Sequence, residues 1–115
     1  MAIIKKIEAQ KKNTDRVNIY INDEFFMSVF TELVYTFNLK KGMEINKENL
    51  KTLLDDDMYI KAKNKALNIL SKAEQTEKKI KEKLSSEFEE HTIEKVLDFL
   101  RNNKFRFFSF LLFFS

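Results

Sequence analysis

Between Ala66 and Leu100 one apolar rhythm runs through three short segments separated by polar breaks, and no other stretch constrains the fold as tightly. Ala66, Leu67, Leu70 and Ala73 recur at three- and four-residue steps, so a helix gathers them on one face and leaves Lys65, Asn68 and Lys72 elsewhere. In the second segment Ile80 and Leu84 stand one turn apart. Thr76 ahead of them reads as an N-cap whose hydroxyl accepts an orphan backbone N–H. In the third, Ile93, Val96, Leu97 and Leu100 fit the i, i+3, i+4, i+7 template, and Glu89 and Glu90 suit the positive end of a helix dipole. Phe88 falls at the corner between the last two segments, where a bulky ring can plug it. The stretch predicts a three-helix unit.

The order and spacing of these segments resembles the repeat unit of the RecX family, bacterial regulatory proteins that act on the RecA recombinase. That unit opens with an Ala-Leu pair and a Leu three residues on, matched by Ala66, Leu67 and Leu70. It continues with a Ser or Thr shortly before an apolar-x-x-x-Leu helix, matched by Thr76, Ile80 and Leu84. It closes on Ile-x-x-Val-Leu-x-x-Leu, matched by Ile93, Val96, Leu97 and Leu100. Members also tend to carry an Arg near the end of the first helix, a Glu before the apolar residue of the second, and an Asp pair with Phe-Ala after the third. Here Ala73 and Lys79 stand at the first two places, the Asp pair is missing, and the pattern is left near Phe105. The resemblance implies a regulator with no active site, which works by binding the RecA filament in recombination, DNA repair and the SOS response.

Towards the N-terminus the period changes. Ile3, Lys5, Ile7 and Ala9 alternate with polar partners except for Ile4, as in a half-buried strand. Val17, Ile19 and Ile21 alternate likewise, and Asn22-Asp23 leads into Glu24 to Val29. Asn and Asp tolerate the left-handed dihedrals of a two-residue hairpin loop, so a three-stranded antiparallel sheet is expected. Thr31 to Leu39, with Leu33, Val34 and Phe37 on one stripe and Gly42 as the left-handed residue just beyond, reads as its covering helix. Some RecX-like proteins carry a similar extension before the first repeat, so the resemblance reaches about nine-tenths of the chain.

From Asn46, a cap residue, Leu50, Leu53 and Leu54 share a helical side, and the stripe resumes at Met58, Ala62 and Ala66. Asp55-Asp56-Asp57 interrupts it, and a break or bend is expected there. Successive carboxylates on a helix point in different directions, so a solvated run accounts for them better than a divalent cation site.

The last residues, FRFFSFLLFFS, hold six of the twelve Phe and no acid. They are too short to cross a bilayer, which takes about twenty apolar residues, and an interfacial anchor would need a polar face. The reading favoured by the residues is a shift of reading frame or premature end that replaces the family's further helical repeats. The alternatives are an anchor or an apolar contact strand. On this reading the chain is a marginally stable piece.

Composition narrows the function. A third of the residues are charged, yet the net charge is only +3, a mild hint of a polyanionic partner. The chain has no Cys, which removes disulfides and thiolate chemistry and makes a reducing cytoplasm the default. One Gly and no Pro leave little room for long loops, and no basic-then-apolar leader opens the chain. No Gly-rich phosphate loop is present, and the single His91, read as solvent-facing, has no acid and nucleophile pattern around it. No catalysis, metal, cofactor or small-molecule substrate is expected, and no membrane contact.

Charge is unevenly spread. From Met58 to Lys83 eight lysines (Lys61, Lys63, Lys65, Lys72, Lys78, Lys79, Lys81, Lys83) face Glu74, Glu77 and Glu82; from Leu84 to Asp98, Glu87, Glu89, Glu90, Glu94 and Asp98 face Lys95. Lys61, Lys65, Lys72, Lys78, Lys79, Lys81 and Lys83 are therefore the candidate contacts to a polyanion or protein partner. The expected fold is mainly α: a β-rich extension with one helix over 1–45, a helical region with the first RecX-like three-helix repeat over 46–104, and an apolar tail over 105–115. Two functions fit: a RecX-like regulator that modulates, in the inhibitory direction, the RecA filament, or a small helical nucleic-acid-binding module of helix-turn-helix kind. The segment from Thr76 to Leu84 offers only Lys and Glu besides Gln75, which favours protein or weak non-specific DNA contact over base reading.

Overall fold

The computed structural model describes residues 2–103; the tail expected over 105–115 lies outside them. The chain divides into two compact units, Met1–Asp57 and Met58–Ser115.

In the first unit, β1 (Ala2–Ala9), β2 (Arg16–Ile21) and β3 (Glu24–Phe30) form the expected antiparallel meander. Its hairpin loop is Asn22-Asp23, with φ of 52° and 65°, the positive values a type I′ turn requires. The sheet has four strands, not three. A short β4 (Glu44–Ile45) pairs with Ala2 and Ile3 of β1, giving the order β3-β2-β1-β4. Two residues carry no period, so this strand exists only because the chain returns to β1. There Ile4 donates its N–H to the Met43 carbonyl at 2.9 Å and accepts from the Gly42 N–H at 2.7 Å.

The ladder separates two faces. Ile7, Ile19 and Met27 stand in one row and Ala9, Val17 and Val29 in the next; Ile19, Met27, Val17 and Val29 are buried, while Ile7 is half-buried and Ala9 exposed. Lys6, Tyr20 and Phe25, then Glu8, Asn18 and Ser28, line the other side. The register shifts between Ile4 and Lys6 and again opposite the Ile19–Tyr20 step. A bulge reverses the alternation, which explains the Ile4 exception in the sequence: Ile4, not Ile3, is the fully buried residue.

The helix after the sheet is shorter than expected, α1 (Thr31–Thr36). Its left-handed terminating residue is Asn38, φ 54°, not Gly42. Leu39 N–H bonds the Val34 carbonyl and Asn38 N–H the Tyr35 carbonyl, the paired bonds of a Schellman ending, with Leu39 buried behind it. Gly42 does take a positive φ, 88°, but in the turn that leads into β4.

The acidic run does not break its helix. α2 spans Lys47–Lys72 in one piece, capped where expected by the Asn46 side chain accepting from the Asn49 N–H at 2.7 Å. Asp costs a helix only about 0.7 kcal/mol per residue relative to Ala, and Asp57 recovers more than that. Its carboxylate accepts from the Arg16 Nη2 at 3.1 Å and from the Phe30 backbone N–H at 2.8 Å.

The second unit closes around α3 (Glu77–Ser85) and α4 (Glu90–Asn102) with the C-terminal part of α2. Thr76 Oγ1 accepts from the Lys79 N–H at 3.0 Å, as the capping pattern predicts. Ile80, Leu84, Phe88, Ile93, Val96, Leu97 and Leu100 are buried together as expected. From α2 the deepest residues are Ala62 and Ala66, while Leu67 and Leu70 are only partly covered. Small residues there let backbones approach closely, and the larger leucines close the rim. No helix among the described residues is long and apolar enough to cross a membrane.

Candidate partner-binding surface

Amphipathic spacing determines where the lysines go. With Ile80 and Leu84 held in the core, Lys78, Lys79, Lys81 and Lys83 of α3 are left exposed, and on α2 Lys61 and Lys72 are exposed while Lys65 is half-buried. These seven are not equivalent. Lys65 bonds Glu87 at 3.0 Å, with its ammonium 6.0 Å from the Phe88 ring centre. Lys81 bonds Glu94 at 3.3 Å, and Lys79 pairs with Glu82 at 3.7 Å. Lys61, Lys72, Lys78 and Lys83 make no ion pair among the described residues.

The two charge blocks, apart along the chain, thus interleave in space. Lys65–Glu87 and Lys81–Glu94 tie one block to the other, and Arg101, just beyond the second block, bonds Glu77 of the first at 2.6 Å. The Lys65 hydrogen bond holds the Glu87 carboxyl below its ordinary value, against a smaller opposing effect of burial. Of the seven, four therefore stand outside any ion pair among the described residues, and Lys61 of these still acts electrostatically on Glu87.

One cluster was not legible from the charge count. Tyr59 and Lys63 lie one turn apart on α2, and Lys95 and Phe99 one turn apart on α4; packed together, they exchange partners. Lys63 Nζ lies 5.6 Å from the Tyr59 ring centre and 5.0 Å from that of Phe99, and Lys95 Nζ lies 4.8 Å from Tyr59. Burial raises the Tyr59 phenol above its ordinary pKa. The signal in the sequence is the pair of four-residue spacings, but it becomes a cluster only once α2 and α4 meet.

His91 is exposed on α4, with Nδ1 at 3.3 Å from Glu89. Among the described residues no group of His and acids could hold a metal ion. Arg16 is a further cation withdrawn into structure. Its guanidinium lies over the Phe30 ring at 4.5 Å, bonds the Ser28 carbonyl at 2.8 Å, and pairs with Asp57. This is a fastening of the first unit, not a contact surface.

Comparison with known proteins gives one consistent answer. The chain matches the "Regulatory protein RecX N-terminal domain" over residues 2–46 and "RecX, first three-helix domain" over residues 62–100. It is 72% identical over 102 residues to the Regulatory protein RecX of Clostridioides difficile (strain 630), covering 89% of this chain and 48% of that protein. Against the Regulatory protein RecX of Clostridium tetani (strain Massachusetts / E88) identity is 47% over 103 residues, covering 89% and 48%. A crystal structure of regulatory protein RecX superposes with a TM-score of 0.74 at 33% identity, covering 90% of this chain and 51% of that one. The chain spans about half the length of the curated relatives it matches. With both the sheet unit and the three-helix unit matched in order, the chain belongs to the RecX family of regulatory proteins.

Proposed function

We propose that this chain acts as a RecX-type regulator that binds the RecA filament in the cytoplasm and restrains it, with no catalysis, cofactor or small-molecule substrate of its own. The observation that carries the reading is the match of both units to the RecX domains. The contact surface in this reading is the unpaired lysine set Lys61, Lys72, Lys78 and Lys83. Lys65, Lys79 and Lys81 contribute by exchanging their present carboxylates for those of the partner. An exposed pair costs little to exchange, since such pairs contribute about 0–1 kcal/mol. Contact with DNA on the same face is weak and non-specific, because α3 carries no Arg, Asn or Gln able to read base edges.

The test adds the protein in stoichiometric excess to RecA on single-stranded DNA and follows filament growth and ATP turnover. Both slow, and the triple variant Lys72→Glu, Lys78→Glu, Lys83→Glu loses most of the effect while keeping its helical circular dichroism. Equal RecA activity with and without the protein would reject the reading.

A further inference from the structure

At the hairpin end of the sheet unit, both bulges adjoin the same strand position. The β1 bulge turns Lys5 and Lys6, and the β3 bulge turns Phe25 and Phe26, so that Lys6, Tyr20 and Phe25 form one row across three strands on the face away from the buried side. Tyr20 and Phe25 meet edge to face with ring centres 6.0 Å apart, and Lys6 Nζ stands 5.4 Å over the Tyr20 ring. The backbone bonds at Ile4 bring the loop carrying Lys41 alongside. Together Lys5, Lys6, Ile7, Tyr20, Asp23 and Lys41 line an open concavity of about 590 Å³. Phe25 is 59% exposed and Phe26 41% exposed.

Lysines along an open strand edge ordinarily guard against edge-to-edge pairing, and β1 has such an edge beyond its pairing with β4 at Ala2 and Ile3. That accounts for Lys5 and Lys6 but not for the exposed Phe25 ring in the same row. Bulges recur where a side chain has to be aimed, and here they set Lys6 over the Tyr20 ring, which meets Phe25 edge to face. An acidic peptide would use the lysines and leave the rings idle. A strand of unpaired bases uses both, because each phosphate finds an ammonium and each base finds a ring face. We infer that this end of the sheet is a stacking platform for single-stranded nucleic acid, with Phe25 taking a base and Lys5, Lys6 and Lys41 the backbone. Recognition is indifferent to sequence, since the concavity holds no Arg, Asn or Gln to read base edges. The local acids are Asp23, Glu24 and Glu8. Glu8 holds Lys6 at 2.6 Å in a solvent-exposed pair that a phosphate can displace. Its residues belong to the first unit and the candidate α2 and α3 lysines to the second, and it stands or falls independently of RecA binding.

The experiment measures fluorescence anisotropy of a labelled oligothymidylate titrated with the full chain over a range of salt. With three lysines engaged, the logarithm of affinity falls with the logarithm of salt at a slope of about −2, from roughly 0.7 per phosphate contact. Phe25→Ala weakens binding about fivefold or more, the loss of one stacked base. Lys5→Glu with Lys41→Glu weakens it further and flattens the slope. Since the chain has no Trp, Phe25→Trp supplies a unique fluorophore that retains binding and is quenched when a base stacks on it. Three results each overturn the inference: no binding at low salt, binding insensitive to Phe25→Ala in a variant with unchanged circular dichroism, or a loss that follows Lys78 and Lys83 instead. Polyglutamate binding with the same Phe25 dependence overturns it too, in favour of an acidic peptide site.

Discussion

The sheet unit and the helical unit are fastened by different kinds of contact. In the helical unit the core residues of each helix recur within one or two turns, and the helices follow one another through short connections, so local pattern and tertiary contact nearly coincide. In the sheet unit the decisive contacts are remote: Asp57 reaches Arg16 from 41 positions away and the Phe30 N–H from 27. The lesson lies in how each unit fails. Local cores lose stability in proportion to the volume removed, whereas a remote ion pair, once halved, leaves a charge and a backbone donor without partners.

The largest expected effect comes from the fully buried Leu84. Leu84→Ala should cost about 4 kcal/mol from lost transfer energy and a residual cavity. Hydrogen exchange should then report faster opening of α3 and α4 with β2 and β3 still protected; uniform loss across both units would mean that the two do not fail separately. Next is Asp57→Ala, expected to cost about 3 kcal/mol because Arg16 is left part-buried and unpaired. The loss should appear in β3 exchange around Phe30. Adding Arg16→Met should recover part of it, and a double variant no better than the single one would show that the Phe30 bond matters more than the charge.

A smaller effect is expected at the cap. Thr76→Ala removes the acceptor for the Lys79 N–H and should lower stability by about 1 kcal/mol in chemical denaturation. Smallest is the pH effect at Glu87. Its folded pKa is depressed, so the stabilisation is present above the ordinary carboxylate value and is lost as pH falls through the lower, folded one. Glu87→Gln should therefore shift the denaturation midpoint slightly near neutrality and not at all in strong acid; an equal shift at both would assign the effect to packing.

Much of this was legible in the residues, and the exceptions have physical causes. The Thr76 and Asn46 caps, the Asn22-Asp23 turn and the α4 stripe depend on neighbours within four positions, which a linear reading sees. The fourth strand, the unbroken α2 and the Asn38 helix ending were misread. The first two depend on a partner elsewhere, β1 for Glu44 and Ile45 and Arg16 and Phe30 for Asp57, whereas the Asn38 ending is local and Asn simply took the left-handed position ahead of Gly42. The candidate lysines were legible as types but not as free or paired. Glu87 and Glu94 had to arrive in space before Lys65 and Lys81 could be distinguished from Lys78 and Lys83.

By itself the sequence determined the periods, 3.6 residues in the C-terminal part and two in the N-terminal part, along with the caps, the tight turn and the order of segments that marks a RecX repeat. These follow from side-chain volume and backbone preference acting over a few residues. Only the tertiary structure decided the parity of the strands, because a bulge reverses every alternation downstream of it. It alone brought Lys63 and Lys95 onto the rings of Tyr59 and Phe99, and Lys6 onto Tyr20 beside Phe25. Such contacts join residues whose separation along the chain carries no energy of its own; they acquire one only when the backbone has closed the distance.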